Sequence, residues 1–308
     1  PSSFLYRSRH INSRFPMVQL SLSLLGPLQI SLDGQPAGPF QSNKVRALLA
    51  YLAVEANRPF AREALATLLW PDYPAALTYL RNALSNLRQV LRDDCACPPY
   101  LLVTRETLQL NPQAPVTTDL HVFADLLERP GDSDSQIVHL GQALALWRGP
   151  LLEGFNCDSP AFDEWLLVQR TRFERRRCEA LARLAEAYAR AGQAEESVQA
   201  ARRLLEVEPW DETAHRMVMV GLASLSRGGA ALAQYEICHK VLQQELGAQP
   251  SPETQALAEA IRGGSFHLAA ARSAVVEPPP PAPAAPPPPR PRLPAPRTRF
   301  VGRRKEID

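Results

Sequence analysis

The chain has few cysteines, and those it has are badly placed for metal or disulfide chemistry. Cys95, Cys97, Cys157, Cys178 and Cys238 are odd in number and irregularly spaced, with no C-x-x-C pair and none of the six histidines clustered beside them. That argues against a zinc module or a disulfide framework and for reduced thiols of a cytoplasmic protein. No apolar run approaches the ~20 residues a membrane-spanning helix needs. The first residues carry Arg7, Arg9 and Arg14 without an apolar core behind them, so they do not read as a secretory signal. No G-x-x-x-x-G-K-[ST] is present to cradle a nucleotide phosphate, and no G-x-S-x-G to present a nucleophile. The paired acids Asp93-Asp94, Asp163-Glu164 and Glu195-Glu196 are sequence neighbours, whose side chains diverge by about 100° on a helix, so they read as surface charge. Neither an enzyme nor a cofactor site is expected.

Against these absences stands an asymmetry of charge. The formal net charge is only +2, but Ser42 to Arg92 holds seven Lys/Arg against three Asp/Glu, while Asp119 to Arg262 holds 15 basic and 22 acidic residues. That division suits a first half facing DNA and a second half facing protein.

The stretch from Pro74 to Asp93 organises the rest. Leu77, Leu80, Leu84, Leu87 and Leu91 recur at alternating spacings of three and four, which places them on one stripe of an α-helix. The opposite face carries Thr78, Asn82, Ser85, Asn86 and Gln89, flanked by Arg81, Arg88 and Arg92, and no carboxylate. Amides and hydroxyls bond base edges, and arginines reach guanine or phosphate. An amphipathic surface helix would show the same stripe, so the neighbouring segments decide between the two readings.

Strict alternation over Val18–Leu24 and Leu28–Leu32 predicts two strands, with Asp33-Gly34 as a hairpin turn and a short or absent partner strand after it. Ser42 reads as the N-cap of a helix over Lys44–Ala56. Lys44 and Arg46 lie in its first turn, where cations are unfavourable; they either meet an anion outside the fold or are solvated. Arg62–Leu69 predicts a second helix, stopped by Trp70-Pro71. After the organising helix, Tyr100–Val103 and Thr107–Leu110 predict a hairpin with Arg105 at its tip. An antiparallel platform, three helices and a hairpin make a winged helix-turn-helix over residues 17–112, with its third helix in the major groove and Arg105 able to reach the minor groove.

Beyond it, helices are expected over Asp119–Glu128, Asp134–Trp147, Ala161–Arg190, Glu195–Val207, Asp211–Ser224, Ala230–Leu246 and Pro252–Ile261. Paired helices with alanine contacts, Gly turns and Pro at unit ends suggest tetratricopeptide-like repeats over residues 113–265, stacked into a solenoid with a concave binding surface. Arg175-Arg176-Arg177 reads as a solvated helix face. The fold class expected is therefore mainly α with a small β platform and wing. Residues 1–16 show no period and read as an extension. Residues 266–297 form a linker, with twelve of the 30 prolines between 278 and 296.

Met17-Val18-Gln19-Leu20 through Leu25-Gly26-Pro27-Leu28, then Lys44-Val45-Arg46-Ala47-Leu48-Leu49 and Leu84-Ser85-Asn86-Leu87-Arg88, resemble the response-regulator type of winged helix. More narrowly they resemble its version in SARP-type bacterial transcriptional activators. Trp147-Arg148-Gly149-Pro150-Leu151-Leu152 and the Trp165…Arg170 segment resemble the bacterial transcriptional activator domain that follows it in that family. Thr298-Arg299-Phe300-Val301-Gly302-Arg303 resembles the opening of an AAA/STAND-type NTPase domain, which would make residues 298–308 the start of a further domain and the chain an N-terminal part of a larger regulator. The resemblance implies promoter DNA as the partner, tandem binding to direct repeats as a homo-oligomer, and contact with RNA polymerase. Base contacts are expected from Thr78, Arg81, Asn82, Ser85, Asn86 and Gln89. Phosphate or minor-groove contacts are expected from Lys44, Arg46, Arg88, Arg92 and Arg105. Two other readings stay open: a scaffold whose winged helix docks protein, and the sensor half of an ATP-dependent switch.

Overall fold

The computed structural model describes residues 18–264 apart from residue 57. The expected N-terminal extension, the Pro-rich linker and the NTPase start lie outside the described residues. The chain begins with strands β1 (Leu20–Ser23), β2 (Gln29–Leu32) and β3 (Gln35–Pro36). β1 and β2 pair antiparallel in the register Leu20↔Leu32 and Leu22↔Ile30, which points Leu20, Leu22 and Ile30 into the core. Asp33 and Gly34 both have positive φ (48° and 76°), the geometry of the tight hairpin turn that Asp-Gly favours.

Helix α1 (Asn43–Val54) buries Val45, Leu48, Leu49 and Leu52. Ser42 stands at its N-cap position with extended backbone, but its hydroxyl makes no capping bond. Strand β4 (Phe60–Ala61) leads directly into α2 (Arg62–Leu69), and α3 (Ala76–Leu91) follows. Leu87 is fully buried beneath α3; cutting such a side chain back to Ala costs about 2–5 kcal/mol. The stripe differs from expectation at its N-terminal end. Leu77 is 48% exposed, because the first turn of α3 runs past the core, and Ala83 takes a buried place instead.

Strands β5 (Leu101–Val103) and β6 (Thr107–Leu110) form the wing, and β4 joins them in the order β4-β6-β5. Strand β7 (Val116–Thr118) then returns to the platform and pairs parallel with β1, giving the order β3-β2-β1-β7. The platform is thus mixed rather than antiparallel.

Seven helices complete the described chain: α4 (Asp119–Glu128), α5 (Ser133–Ala145), α6 (Pro160–Arg190), α7 (Ala194–Leu205), α8 (Glu212–Ser224), α9 (Gly228–Glu245) and α10 (Pro252–Arg262). Each packs on the next from α6 to α10, as in helical repeats. α7 and α8 approach so closely that a Cβ on Gly221 would lie 2.4 Å from Val198 Cγ2. Within the arginine run, Arg175 is solvated and pairs with Glu179 at 3.2 Å, whereas Arg176 and Arg177 are drawn inwards. Arg176 reaches Glu128, and Arg177 pairs with Glu174 beneath its placement over the Trp147 ring.

The two halves share one hydrophobic core. Asp119, the first residue of α4, accepts the N–H groups of Leu24 and Leu25, with Arg148 3.6 Å away. Burial pushes the Asp119 carboxyl above its ordinary value against the pull of those bonds and of Arg148. Leu151 bridges to Leu25, and the Gly26 N–H donates to Pro150 O. Gly26 has φ 118°, and a Cβ there would meet that of Arg148 at 3.0 Å, so the crossing requires glycine.

Candidate nucleic-acid interface

α3 owes its orientation to its two ends. At its C-terminus Arg92 takes a left-handed conformation (φ 54°) and caps the helix through its backbone N–H. Asp93 follows, 2% exposed, accepting the Tyr100 N–H at 2.6 Å and the Leu101 N–H at 3.2 Å. This carboxylate fixes α3 to the start of the wing; it is not the surface charge that its adjacency to Asp94 suggested. At the other end, Trp70, Tyr73 and Tyr79 cluster, with Trp70 and Tyr79 stacked at 6.3 Å and Tyr73 edge-on to Tyr79 at 5.5 Å.

Between these anchors, Thr78, Arg81, Asn82, Ser85 and Gln89 are exposed on one face, and Arg92 is exposed at the C-cap. Their spacing of three and four keeps them in register along α3. Among the described residues none of these side chains makes a hydrogen bond or an ion pair, and α3 contains no Asp or Glu. Arg105 stands exposed and unpaired at the tip of the wing. The hairpin tip is set by Thr104, whose hydroxyl accepts the Thr107 N–H at 2.8 Å.

Four expected contacts are corrected. Asn86 is 6% exposed and turned inwards, its Oδ1 accepting the Gln41 N–H at 3.0 Å, so it does not face a base. Lys44 Nζ donates to Leu69 O at 2.6 Å and lies 5.5 and 5.3 Å from the Trp70 and Tyr73 ring centres. Its partners are a neutral carbonyl and two ring faces within the fold, at the C-terminus of α2, where a cation is favoured. Arg46 donates to Leu28 O at 3.3 Å and to Asn43 Oδ1 at 3.4 Å, with its guanidinium 5.6 Å from the Phe155 ring centre. Arg88 binds Asp93 Oδ2 at 3.3 Å and also pairs with Asp94. Arg62, the first residue of α2, was not among the expected contacts, and it shares a groove with Arg81 and Arg105. It carries no periodic signal, because its position depends on the two-residue pairing of β4 with β6.

Residues 118–262 match the family model of the bacterial transcriptional activator domain. The transcriptional regulator RedD of Streptomyces coelicolor is 30% identical over 249 residues, covering 75% of this chain and 67% of RedD. The chain belongs to the SARP family of bacterial transcriptional regulators. The transcriptional regulatory protein EmbR of Mycobacterium tuberculosis is 30% identical over 258 residues, covering 79% of this chain and 63% of EmbR. A solved structure of EmbR in complex with a low affinity phosphopeptide superposes with a TM-score of 0.69 at 27% identity, covering 84% of this chain and 69% of that one. AfsR of Streptomyces coelicolor is 28% identical over 266 residues, and there this chain spans only 26% of the relative. RedD and EmbR are regulators of transcription, and AfsR is a regulatory protein. No helix among the described residues is long and apolar enough to cross a membrane.

Proposed function

We propose that this SARP regulator is a cytoplasmic, sequence-specific transcriptional activator whose α3 enters the major groove of promoter DNA. One observation carries the reading: the exposed face of α3 offers uncommitted amides, hydroxyls and arginines with no carboxylate among them. Thr78, Asn82, Ser85 and Gln89 present donors and acceptors for base edges, and Arg81 reaches guanine or phosphate. Arg92 serves the phosphate backbone and Arg105 the backbone or minor groove. Asn86, Lys44, Arg46 and Arg88 are bound within the fold and stand outside this interface.

The helical repeats are assigned self-association on DNA, signal input or RNA polymerase contact. Their continuous core with the winged helix supports a role in holding or orienting the reader. The test is binding of the chain to the DNA upstream of its own gene and to random duplex, titrated against salt. Preference for the upstream DNA at physiological salt, lost in Asn82→Ala, is the expected result. Equal binding to both DNAs would refute specific reading and leave α3 as a protein-docking surface.

A further inference from the structure

We infer that the groove between the helix-turn-helix and the wing seats one DNA backbone phosphate, held jointly by Arg62, Arg81 and Arg105. This rests on the DNA-reading function above; it adds Arg62 to the interface and gives Arg81 and Arg105 a shared target. The groove has a volume of about 140 Å³. Its three arginines come from three separate elements: the first residue of α2, the exposed face of α3, and the tip of the wing. Strand pairing brings them together. Phe60 pairs with Leu108 and Ala61 with Thr107, and the Arg62 N–H then donates to Glu106 O at 2.9 Å. The start of α2 is thereby tied to the residue beside Arg105.

Three guanidinium groups around one groove repel one another unless an anion sits between them. Among the described residues none of the three forms an ion pair, and Glu63 is the one carboxylate in the lining. Arg62 Nε is buried without a hydrogen-bond partner, so a strong donor is left unanswered in the free protein. A phosphodiester oxygen answers it: guanidinium forks match phosphate geometry, and several forks on one phosphate are the arrangement that best offsets clustered positive charge. Leu77, 48% exposed, and Leu84 give the groove an apolar side. That side suits the deoxyribose attached to the phosphate better than it suits a free anion. Duplex DNA is therefore the assigned occupant.

The test uses the whole chain, a random-sequence duplex, and the slope of log K against log salt. Each B-DNA phosphate neutralised contributes about 0.9 to that slope. Arg62→Gln, Arg81→Gln and Arg105→Gln are measured singly and all together, with thermal midpoints confirming folded protein. If all three hold one phosphate, the triple variant loses about 0.9 in slope, no more than a single contact. A loss of about 1.8 or more would mean separate phosphates and overturn the shared seat. No loss would overturn the contact altogether. A wild-type chain that binds no duplex would sink the DNA-reading function itself, a result distinct from either. Glu63→Gln supplies a variant that keeps every arginine: severalfold tighter binding supports the seat, and unchanged or weaker binding counts against it.

Discussion

The Trp165 indole N–H donates to Glu55 Oε1 at 3.0 Å, and this bond ties α6 of the helical half to the C-cap of α1 in the winged helix. Gln169 Nε2 donates to the same oxygen at 3.2 Å, and the other carboxylate oxygen holds Arg58 at 2.7 Å. Tyr51 and Trp165 pack ring to ring at 4.7 Å alongside. Glu55→Ala would leave the indole and amide donors at the seam without an acceptor. A loss of about 1–3 kcal/mol is expected. Because the core is continuous across the seam, calorimetry should show one unfolding transition in wild type and variant, with the variant's midpoint lower. Two resolved transitions in the wild type would show that the halves unfold independently.

Glu212 fastens α10 to α8. Its Oε2 accepts the Ser251 N–H at 2.9 Å, the Ser251 hydroxyl at 2.8 Å and the Thr254 hydroxyl at 2.7 Å. Burial alone would raise this carboxyl, but those bonds and nearby Arg216 hold it below its ordinary 4.5. A depressed folded value means that the carboxylate stabilises the fold at pH above 4.5 and that this contribution is lost as pH falls below it. The stability difference between wild type and Glu212→Gln should therefore be full at pH 6 and shrink towards pH 3.5. Amide hydrogen exchange in α10 should quicken over the same range in the wild type. A constant difference across those pH values would refute the linkage.

Where a segment's own periodicity decides its structure, the sequence was readable. α2 and α4 have the limits expected from their apolar spacing, Arg62–Leu69 and Asp119–Glu128, and the other helices differ at their ends by a residue or two. β4 and β7 were invisible, being two and three residues long and defined only by partners elsewhere in the chain. The exposed face of α3 was readable in outline for the same reason. A helical stripe tells which residues share a face, and it grouped Thr78, Arg81, Asn82, Ser85 and Gln89 correctly. It does not tell how wide the buried sector is. Asn86 lies at the margin of the stripe, next to Leu87, and the loop that brings the Gln41 N–H against it closes that margin. Nor does local charge reveal a partner within the fold: Asp93 and Lys44 are both held by groups that only tertiary structure brings near.

Lys44 provides a direct test of that correction. Lys44→Ala removes the donor to Leu69 O and the cation beside Trp70 and Tyr73. A stability loss of about 1–2 kcal/mol is expected, from one charged hydrogen bond and the ring contacts. The slope of DNA affinity against salt should stay the same, since no phosphate contact is lost. A slope smaller by about 0.9 with unchanged stability would restore Lys44 to the phosphate backbone.

Asn82 and Asn86 are the same amide one helical turn apart, and the fold gives them opposite consequences. Asn82 is exposed and makes no bond within the protein, whereas the Asn86 oxygen accepts the Gln41 N–H beneath the surface. Asn82→Ala should leave the thermal midpoint nearly unchanged, within about 0.5 kcal/mol of wild type, because exposed substitutions away from caps and networks cost little. Its effect belongs to recognition: preference for the upstream DNA over single-base variants should fall by about 1–3 kcal/mol at the position it reads. Asn86→Ala should do the reverse, losing about 1–3 kcal/mol of stability through the orphaned Gln41 N–H. Its relative preference among DNA sequences should remain intact wherever the protein is folded. Measuring both variants by thermal denaturation and by competition binding against a panel of mutated duplexes separates the two roles. Specificity lost in Asn86→Ala at full stability would mean that α3 rotates on DNA to expose the amide that the free protein buries.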